Sequence, residues 1–341
     1  MSDFATVPES EQAARLARLA RRALAAWDLD AVEPTLVKYR ENAVFAVGAA
    51  DGRRFVLRVH RAGYRSDDDV RSEIAWTRAL ATNGVQTPEF VPTRGGDLLA
   101  HASADDVPGT RQCDLMVWVD GSPLGSLEHG VALDDEGIRR SYATIGELAA
   151  RLHAHGEAWP RPAGFVRPLW DADALVGEAP VFGAFWQLDV LEPQQRDVLQ
   201  RARSAVRARL ATLGTPRLLV HGDLIPDNVL VGAAGVRVID FDDCGTASWV
   251  FELATSVFPL LISGGFAAGV AGFREGYARV RPVPATELEL LPAMLVARGL
   301  SYLGWPVGRP EIHSQRELAP LYAAGMADLA ERLLSGRDLA G

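Results

Sequence analysis

Lysine is almost absent from this 341-residue sequence, in which Lys38 is the only one and every other residue of the Lys+Arg total is an arginine. The two cysteines, Cys113 and Cys244, form no CxxC pair and no zinc spacing, so we expect reduced structural thiols. The net charge of −9 argues against nucleic-acid binding, which relies on cationic side chains neutralising phosphates. A cationic or neutral partner is more compatible with this charge.

The sequence also lacks the features of secretion and of a clear membrane span. Its first residues, MSDFATVPESEQ, are acidic and contain neither the basic nor the apolar region of a secretory signal. One stretch, 253–273, contains no charged residue, but Pro259 and the pair Gly264-Gly265 interrupt it. We interpret it as two buried helical pieces joined at the glycine pair, and we expect a cytoplasmic protein without membrane contacts.

The hydrophobic pattern changes along the chain from strand-like to helical. An amphipathic helix at 11–27 precedes three short β-rich runs at 35–61, and a further buried strand is predicted at 114–119. Beyond Gly121 the pattern is mainly helical. We therefore predict an α+β fold with a β-rich lobe at 1–119 and a mainly helical lobe at 120–341.

The most informative stretch reads LLVHGDLIPDNVLVGAAGVRVIDFDD and ends at Asp243. Its polar residues lie in loops between apolar runs, where function tends to concentrate. Asp223 suits a group that positions the attacking hydroxyl and accepts its proton in phosphoryl transfer. Asn228 and Asp240 offer the hard oxygen ligands that Mg²⁺ prefers, whereas His and Cys would indicate zinc.

The spacing H-x-D-x-x-x-x-N from His221 to Asn228, followed by Ile239-Asp240-Phe241, resembles the catalytic and metal-binding loops of the protein-kinase-like fold. Within that fold it resembles the aminoglycoside phosphotransferase and choline kinase branch, over roughly residues 30–310. The resemblance implies a bilobal kinase that uses Mg²⁺ and ATP, with GTP also possible. It further implies that His221 holds the catalytic loop and that Glu252 braces it.

The family's phosphate-binding lysine is replaced here. The predicted third strand, FVLRVH, carries Arg58 where the family has lysine, and Glu73 on the next predicted helix, at 68–83, is its natural partner. Strand alternation places Val56 on the same face as Arg58, where it would pack on adenine. The alternative is a plain surface position for Arg58. Lys38, one strand earlier, is the less favoured candidate for the phosphate-binding cation.

Neither of two common phosphate-binding glycine motifs is present. No G-x-G-x-x-G separates the first two predicted strands, where the turn around Asn42 stands instead, and no Walker A motif occurs. The run Met116, Val117, Trp118 and Val119 resembles the interlobe linker whose backbone binds adenine. The same run is equally compatible with a simple core strand.

The acceptor is predicted to be a small molecule. Only eleven residues separate Asp240 from Glu252, too few for a peptide-docking activation segment, and the motif A-P-E is absent. The residues that could contact the acceptor are carboxylates near the metal site and polar or aromatic residues of the helical lobe. They are Asp227, Asp242, Asp243, Trp249, Arg298 and Trp305.

These features together predict an O-phosphotransferase that acts on a hydroxyl group of a small molecule. The acceptor could be an antibiotic of the aminoglycoside or nucleoside type, which would confer resistance, or a metabolic amino alcohol. A nucleotide-binding pseudokinase and a stress-type protein kinase are the alternatives. The sequence leaves the acceptor, the choice between ATP and GTP, and the oligomeric state open.

Overall fold

The computed structural model describes residues 4–31, 33–125, 133–215, 217–233 and 235–339, and the chain forms two compact units. The first unit contains the described residues up to Asp120 together with Arg161–Arg167 and Glu311–His313. The second unit contains the other described residues. Polar contacts from Val166 to Ser72 and from Glu311 to Arg61 hold the two short segments, and Ile312 in the second of them is also buried.

A five-stranded antiparallel sheet, with strand order β1-β2-β3-β5-β4, forms the centre of the first unit. The three strands expected over 35–61 are present, and the strand expected at 114–119 is the end of a longer one. The strands are β1 (Thr35–Tyr39), β2 (Ala43–Gly48), β3 (Arg54–Val59), β4 (Ala100–Ala104) and β5 (Val107–Val117).

One helix covers each face of this sheet. Helix α1 (Glu9–Ala23) packs on the face that carries Phe45 and Leu57, and the two strands contribute to the same buried core as the helix. Helix α2 (Asp67–Thr82) packs on the opposite face, where Val56 and Met116 contact its apolar residues. The two cores separate because successive side chains of a strand point to opposite faces.

The start of α2 is fixed by a capping box. The Ser66 hydroxyl accepts the Asp69 N–H at 3.1 Å, and the Asp69 carboxylate accepts the Ser66 N–H at 3.0 Å. Asp67 and Asp68 in the first turn also interact favourably with the helix dipole. This fixed start determines where Glu73, two turns later, meets the sheet.

The second unit is mainly helical, with two small three-stranded sheets. Its helices are α3 (Asp135–Ala158), α4 (Ala172–Val176), α5 (Pro193–Leu210), α6 (Trp249–Val257), α7 (Leu260–Ser263), α8 (Phe266–Ala278), α9 (Ala285–Leu288), α10 (Leu291–Gly308) and most of α11 (His313–Ser335). Its strands are β6 (Ser122–Pro123), β7 (Leu169–Trp170), β8 (Leu218–Val220), β9 (Val229–Gly232), β10 (Gly235–Val238) and β11 (Gly245–Ala247).

Glycines allow α3 and α8 to pack with their backbones in contact. A Cβ atom at Gly276 would lie 1.8 Å from the carbonyl oxygen of Ala143, and one at Gly146 would lie 2.0 Å from that of Phe273. Larger residues would therefore force the two helices apart. Their close packing sets the position of His153 on α3 and of Tyr277 on α8.

The uncharged stretch 253–273 forms parts of three helices, α6, α7 and α8, rather than two pieces. Gly264 and Gly265 lie between α7 and α8, both with positive φ, as expected for a chain reversal. Across the part of the chain that the structure describes, no helix has the length and apolar composition needed to span a bilayer.

Candidate active site

The loop that contains Asp223 begins directly after the buried strand β8. Gly222 has a φ of +84°, and a Cβ atom at this position would lie 2.2 Å from the carbonyl oxygen of Asp243. Only glycine tolerates this approach together with this backbone conformation. The motif HGD therefore brings the loop against the segment that contains Asp240 and Asp243.

Glu252 on α6 holds the start of this loop. Its carboxylate accepts the backbone N–H groups of His221 at 2.7 Å and of Gly222 at 3.1 Å. Burial alone would raise the pKa of Glu252, but the hydrogen bond with His153, the charge of His153 and His221 and the His221 N–H hold that pKa below its ordinary range. Glu252 thus has the bracing position that the sequence resemblance implies.

His221 links the two loops of the site. Its Nε2 atom lies 3.0 Å from the Ile239 carbonyl oxygen, and its ring contacts that of Phe241 at a centroid distance of 4.6 Å. Burial lowers the pKa of the His221 imidazole, although Glu252, Asp240 and Asp243 act in the opposite direction. These contacts suit a structural residue rather than a base.

Both carboxylate oxygens of Asp223 accept hydrogen bonds. Asn228 Nδ2 donates to Oδ2 at 2.9 Å and also to the Asp223 carbonyl oxygen at 2.9 Å, while Arg298 donates to Oδ1 at 3.1 Å. Asp223 therefore has a fixed orientation. Because the Asn228 amide nitrogen faces Asp223, its Oδ1 atom faces away and is available as a ligand for a cation.

Arg298 lies on α10 and is buried among aromatic rings. The centre of its guanidinium is 4.7 Å from the ring of Tyr302, 5.4 Å from that of Phe182 and 5.7 Å from that of Phe251. Burial alone would lower the pKa of Arg298, but Tyr302, Asp223 and nearby Asp243 raise it above its ordinary value. The cation beside Asp223 is therefore permanently charged and rigidly held.

Asp240 follows the β9–β10 hairpin and has an unusual backbone. Its φ is +65°, which makes it the one non-glycine residue with positive φ in the described ranges. Such a conformation costs about 1–3 kcal/mol and tends to occur at functional sites. The Ile239 N–H donates to the Asn228 carbonyl oxygen at 3.0 Å, so Asp240 and Asn228 belong to adjoining chain segments. The Asp240 side chain is exposed.

The pair Asn228 and Asp240 fits Mg²⁺ bound with a nucleotide. In the described residues no group of three or more His, Cys, Asp and Glu side chains could hold a metal ion by itself. Mg²⁺ commonly takes only one or two protein ligands and completes its shell with water and substrate phosphates. The exposed Asp240 carboxylate and the Asn228 amide oxygen that faces away from Asp223 are compatible with that requirement, and their metal-binding role stays a prediction.

The residues predicted to contact the acceptor have different positions. Asp243 lies close enough to Arg298 to influence its pKa, and Asp242 is buried in the same segment. Asp227 is half-buried in the turn that contains Asn228. Trp305 is on α10, with the guanidinium of Arg309 above its ring at 4.6 Å.

Trp249, also predicted to contact the acceptor, is fully buried on α6. Its ring packs edge-on against those of Phe273 and Tyr277 at centroid distances of 6.3 and 5.5 Å. No part of this ring is left for an acceptor.

In the first unit, Arg58 and Glu73 form the ion pair that the sequence suggests. Arg58 NH1 lies 2.8 Å from the Glu73 carboxylate, and both side chains are buried. Arg58 also contacts Asp114 on β5 through Nε and NH2, at 3.1 and 2.8 Å. His60 Nε2 lies 2.7 Å from the same carboxylate.

Asp114 is a buried partner of Arg58 that the sequence analysis does not identify. Burial alone would raise its pKa, but Arg58 and His60 lower it to about 2. The sequence contains one indication of this pair, a single acidic residue at the start of the apolar run DLMVWV. An acidic residue buried with such a run needs a cationic partner.

The remaining predicted nucleotide residues lie around the same sheet. Asn42 is buried, and its Oδ1 accepts the Arg61 N–H at 3.2 Å, which holds the β1–β2 turn. The N–H groups of Val117 and Trp118 donate to Glu89 and Arg54 carbonyl oxygens at 2.8 and 2.9 Å. If the predicted linker binds a nucleotide base, the contacts would therefore come from the carbonyl oxygens of the linker and from Val119.

Comparison with known proteins identifies the class. The model of the phosphotransferase enzyme family matches residues 34–285, and the chain belongs to this family of small-molecule phosphotransferases. It has the kinase-like fold that the sequence resemblance predicts, with an antiparallel sheet in the first unit and a helical second unit.

Individual relatives are homoserine kinases and a small-alcohol kinase. A homoserine kinase from Hyphomonas neptunium is 31% identical over 248 residues, which cover 64% of this chain and 70% of that protein. One from Rhodopseudomonas palustris is 26% identical over 266 residues, covering 76% and 73%. A solved structure of a microcompartment-associated aminopropanol kinase is 29% identical and superposes with a TM-score of 0.82, covering 94% of this chain and 99% of that one.

Proposed function

We propose that this protein transfers the γ-phosphoryl group of ATP to the hydroxyl of a short amino alcohol. The observation that carries the proposal is the fixed carboxylate of Asp223, which Asn228 and Arg298 orient through its two oxygens. A phosphotransferase needs such a group to position the acceptor hydroxyl and receive its proton.

The chemistry requires positioning more than strong basicity. Phosphoryl transfer in most analyses passes through a loose transition state, so the base does little until the acceptor oxygen is close to phosphorus. An aspartate whose oxygens are both hydrogen-bonded suits this task because it holds a hydroxyl in one direction. Asp223 is half-buried, so part of the carboxylate remains accessible to an acceptor.

Asn228 and Asp240 would hold Mg²⁺ together with the nucleotide phosphates. The ion supplies neutralisation of the charge on the phosphate oxygens. The left-handed backbone of Asp240 supports this assignment, since strain of this kind is retained where the surrounding structure serves a function. An amicoumacin kinase of similar fold, with a TM-score of 0.73 and 16% identity, is described in complex with AMP-PNP and Ca²⁺.

A short amino alcohol is the acceptor that the relatives favour, because aminopropanol and homoserine both carry an amine and a hydroxyl. The charges around Asp223 distinguish the two. Homoserine has a carboxylate that needs a cation, and Arg298, the cation beside Asp223, is already paired with it. Asp243, which is half-buried, supplies negative charge suited to an ammonium group, and the buried Asp242 precedes it in the chain. We therefore favour an amino alcohol without a carboxylate.

The test is a comparison of acceptors with purified protein, MgATP and a coupled assay for ADP. We expect 1-amino-2-propanol to give the highest kcat/KM, homoserine to be a poorer acceptor and an aminoglycoside to be inactive, with a phosphomonoester product in the phosphorus NMR spectrum. Asp223→Asn is the matched control and should remove acceptor-dependent ADP formation. MgGTP in a parallel series tests the nucleotide preference.

Two results would contradict the proposal. Preference for the aminoglycoside would assign the protein to antibiotic modification. Nucleotide binding without phosphoryl transfer to any acceptor would indicate the pseudokinase alternative.

A further inference from the structure

Arg58 directs its donors towards protein carboxylates. Its Nε and NH2 atoms contact Asp114, and its NH1 atom contacts Glu73. The side chain is only 5% exposed. Two carboxylates thus neutralise this cation inside the first unit, and its planar fork cannot turn away without leaving them buried and unpaired.

A second cation lies in the same row of the sheet. In the antiparallel register, Arg58 is opposite Val44 on β2, and Val44 is opposite Lys38 on β1. Residues directly opposite each other share a face of the sheet. Lys38 therefore lies on the face of Arg58, two strands away, which is roughly 10 Å between Cα atoms at the usual strand spacing.

A β-bulge produces this orientation. Leu36 is opposite Phe45, on the face that α1 covers, but the register shifts before Lys38, which is opposite Val44 on the other face. The next residue, Tyr39, confirms the alternation, because its hydroxyl donates to Gln12 of α1 at 2.8 Å. Without the extra residue, Lys38 would point towards α1.

The environment of Lys38 leaves its ammonium group available. The side chain is exposed, and within the described ranges of the chain it makes no ion pair. Its neighbours on this face, Val44, Ala46 and Val56, are small or β-branched and half-buried. The opposite face is covered by α1, whereas on the face of Lys38 the helix α2 packs against Val56 and Met116, which belong to β3 and β5 rather than to β1.

We propose that Lys38 binds the phosphates of the nucleotide, and that Arg58 instead fixes α2 to the sheet. The proposal rests on the proposed function, which supplies a nucleoside triphosphate as the ligand. A lysine ammonium is a compact charge with three donors on a flexible stem, which suits phosphate oxygens whose position changes during transfer. Lys38 then performs, from β1, the task that a β3 residue performs in related kinases.

The absence of other lysines makes a chemical test specific. An amine-reactive succinimidyl ester can modify only Lys38 and the terminal amine, and peptide mass mapping separates the two. We expect MgATP and MgADP to slow the modification of Lys38 at least tenfold, and adenosine, which lacks phosphates, to leave it unchanged. Equal rates with and without MgATP would overturn the proposal.

Variants give an independent measurement by calorimetry without any acceptor. Lys38→Met should weaken MgATP binding at least tenfold without changing adenosine binding, and Lys38→Arg should recover much of the loss. Arg22→Met removes the same charge from α1, on the opposite side of the sheet, and should bind MgATP normally. If the unaltered protein binds no nucleotide, the proposed function itself fails; if it binds MgATP and Lys38→Met binds equally well, only the role of Lys38 is wrong.

Discussion

Arg298 and Asp223 form a half-buried ion pair, 3.1 Å between NH2 and Oδ1, across 75 residues of sequence. The arginine is 3% exposed and the aspartate side chain 27%, so the cation supports the carboxylate from the protein side. Arg298 is thereby a positioning residue for Asp223 as much as a candidate contact for the acceptor.

Replacing Arg298 tests which role dominates. In Arg298→Met, Asp223 loses the donor to Oδ1 and can rotate, and misplacement by about 1 Å can reduce the rate roughly 100-fold. We expect kcat to fall by about that factor with the KM for ATP unchanged, and Arg298→Lys to recover only part of it, because an ammonium lacks the planar fork. Circular dichroism should confirm that both variants are folded. An unchanged kcat with a tenfold higher KM for the acceptor would show that Arg298 binds substrate instead.

Because Asp240 has a left-handed backbone conformation, we expect its glycine variant to be more stable than its alanine variant. Glycine tolerates a φ of +65°, whereas an alanine there would suffer a steric cost of about 1–2 kcal/mol. Asp240→Gly should therefore unfold at a higher urea concentration than Asp240→Ala, by about 1 kcal/mol in the free energy of unfolding. Both variants should lose phosphoryl transfer, since neither offers the metal a carboxylate. If the alanine variant proved the more stable, the loop would adopt another conformation in solution.

Stability should fall as the pH drops below the ordinary pKa of histidine, 6.5, because of His221. Burial lowers the pKa of His221 in the folded protein, so the unfolded chain binds a proton at a pH where the folded chain does not. The free energy of unfolding then decreases with falling pH, by at most about 1.4 kcal/mol per pH unit for one proton.

Urea unfolding between pH 8 and pH 5 measures this slope, and His221→Asn should reduce it. Glu252 affects stability in a separate pH range. Its pKa is also lowered in the folded protein, so its contribution to the free energy of unfolding is lost only below its ordinary pKa of 4.5. A His221→Asn variant with the slope of the original protein would assign the effect to another group.

The buried network around Arg58 should depend strongly on Asp114. Asp114→Asn leaves the Arg58 guanidinium with only Glu73 for its charge, and loss of one partner from a buried ion pair costs about 3–5 kcal/mol. Asp120→Asn is a matched control, because Asp120 pairs with Arg54 at the surface, and it should change stability by less than about 0.5 kcal/mol. Equal effects of the two substitutions in urea unfolding would mean that Asp114 is not held as an ion.

Local patterns in the sequence predict much of the fold and the centre of the candidate site. The strands β1 to β3 and the start of α2 follow from alternation, a turn signal and acidic residues at a helix N-terminus. The spacing from His221 to Asn228 predicts a loop in which side chains only five residues apart can meet. Asp223 and Asn228, which are five residues apart, form such a contact.

Contacts between distant segments were not predictable in the same way. Arg58 meets Asp114 because β3 pairs with β5 rather than with β4. The sequences of individual strands do not determine the order in which the strands pair. Periodicity likewise cannot locate the extra residue in β1, so the alternation of that strand alone gives the wrong face for Lys38. Trp249 is expected from the sequence to contact the acceptor as part of the C-terminal helices, whereas the rotation of α6 turns its ring into the helical core.

The first unit has a consequence for biosynthesis, because it includes Arg161–Arg167 and Glu311–His313. Val166 donates to Ser72 at 2.9 Å, and Arg61 pairs with Glu311 at 2.6 Å, so residues from two later parts of the chain complete the first unit. A ribosome that has released the first 120 residues has not yet supplied these partners. We expect the β-rich unit to reach its final stability only when synthesis has passed His313, and the nascent sheet to depend until then on α1 and α2 alone.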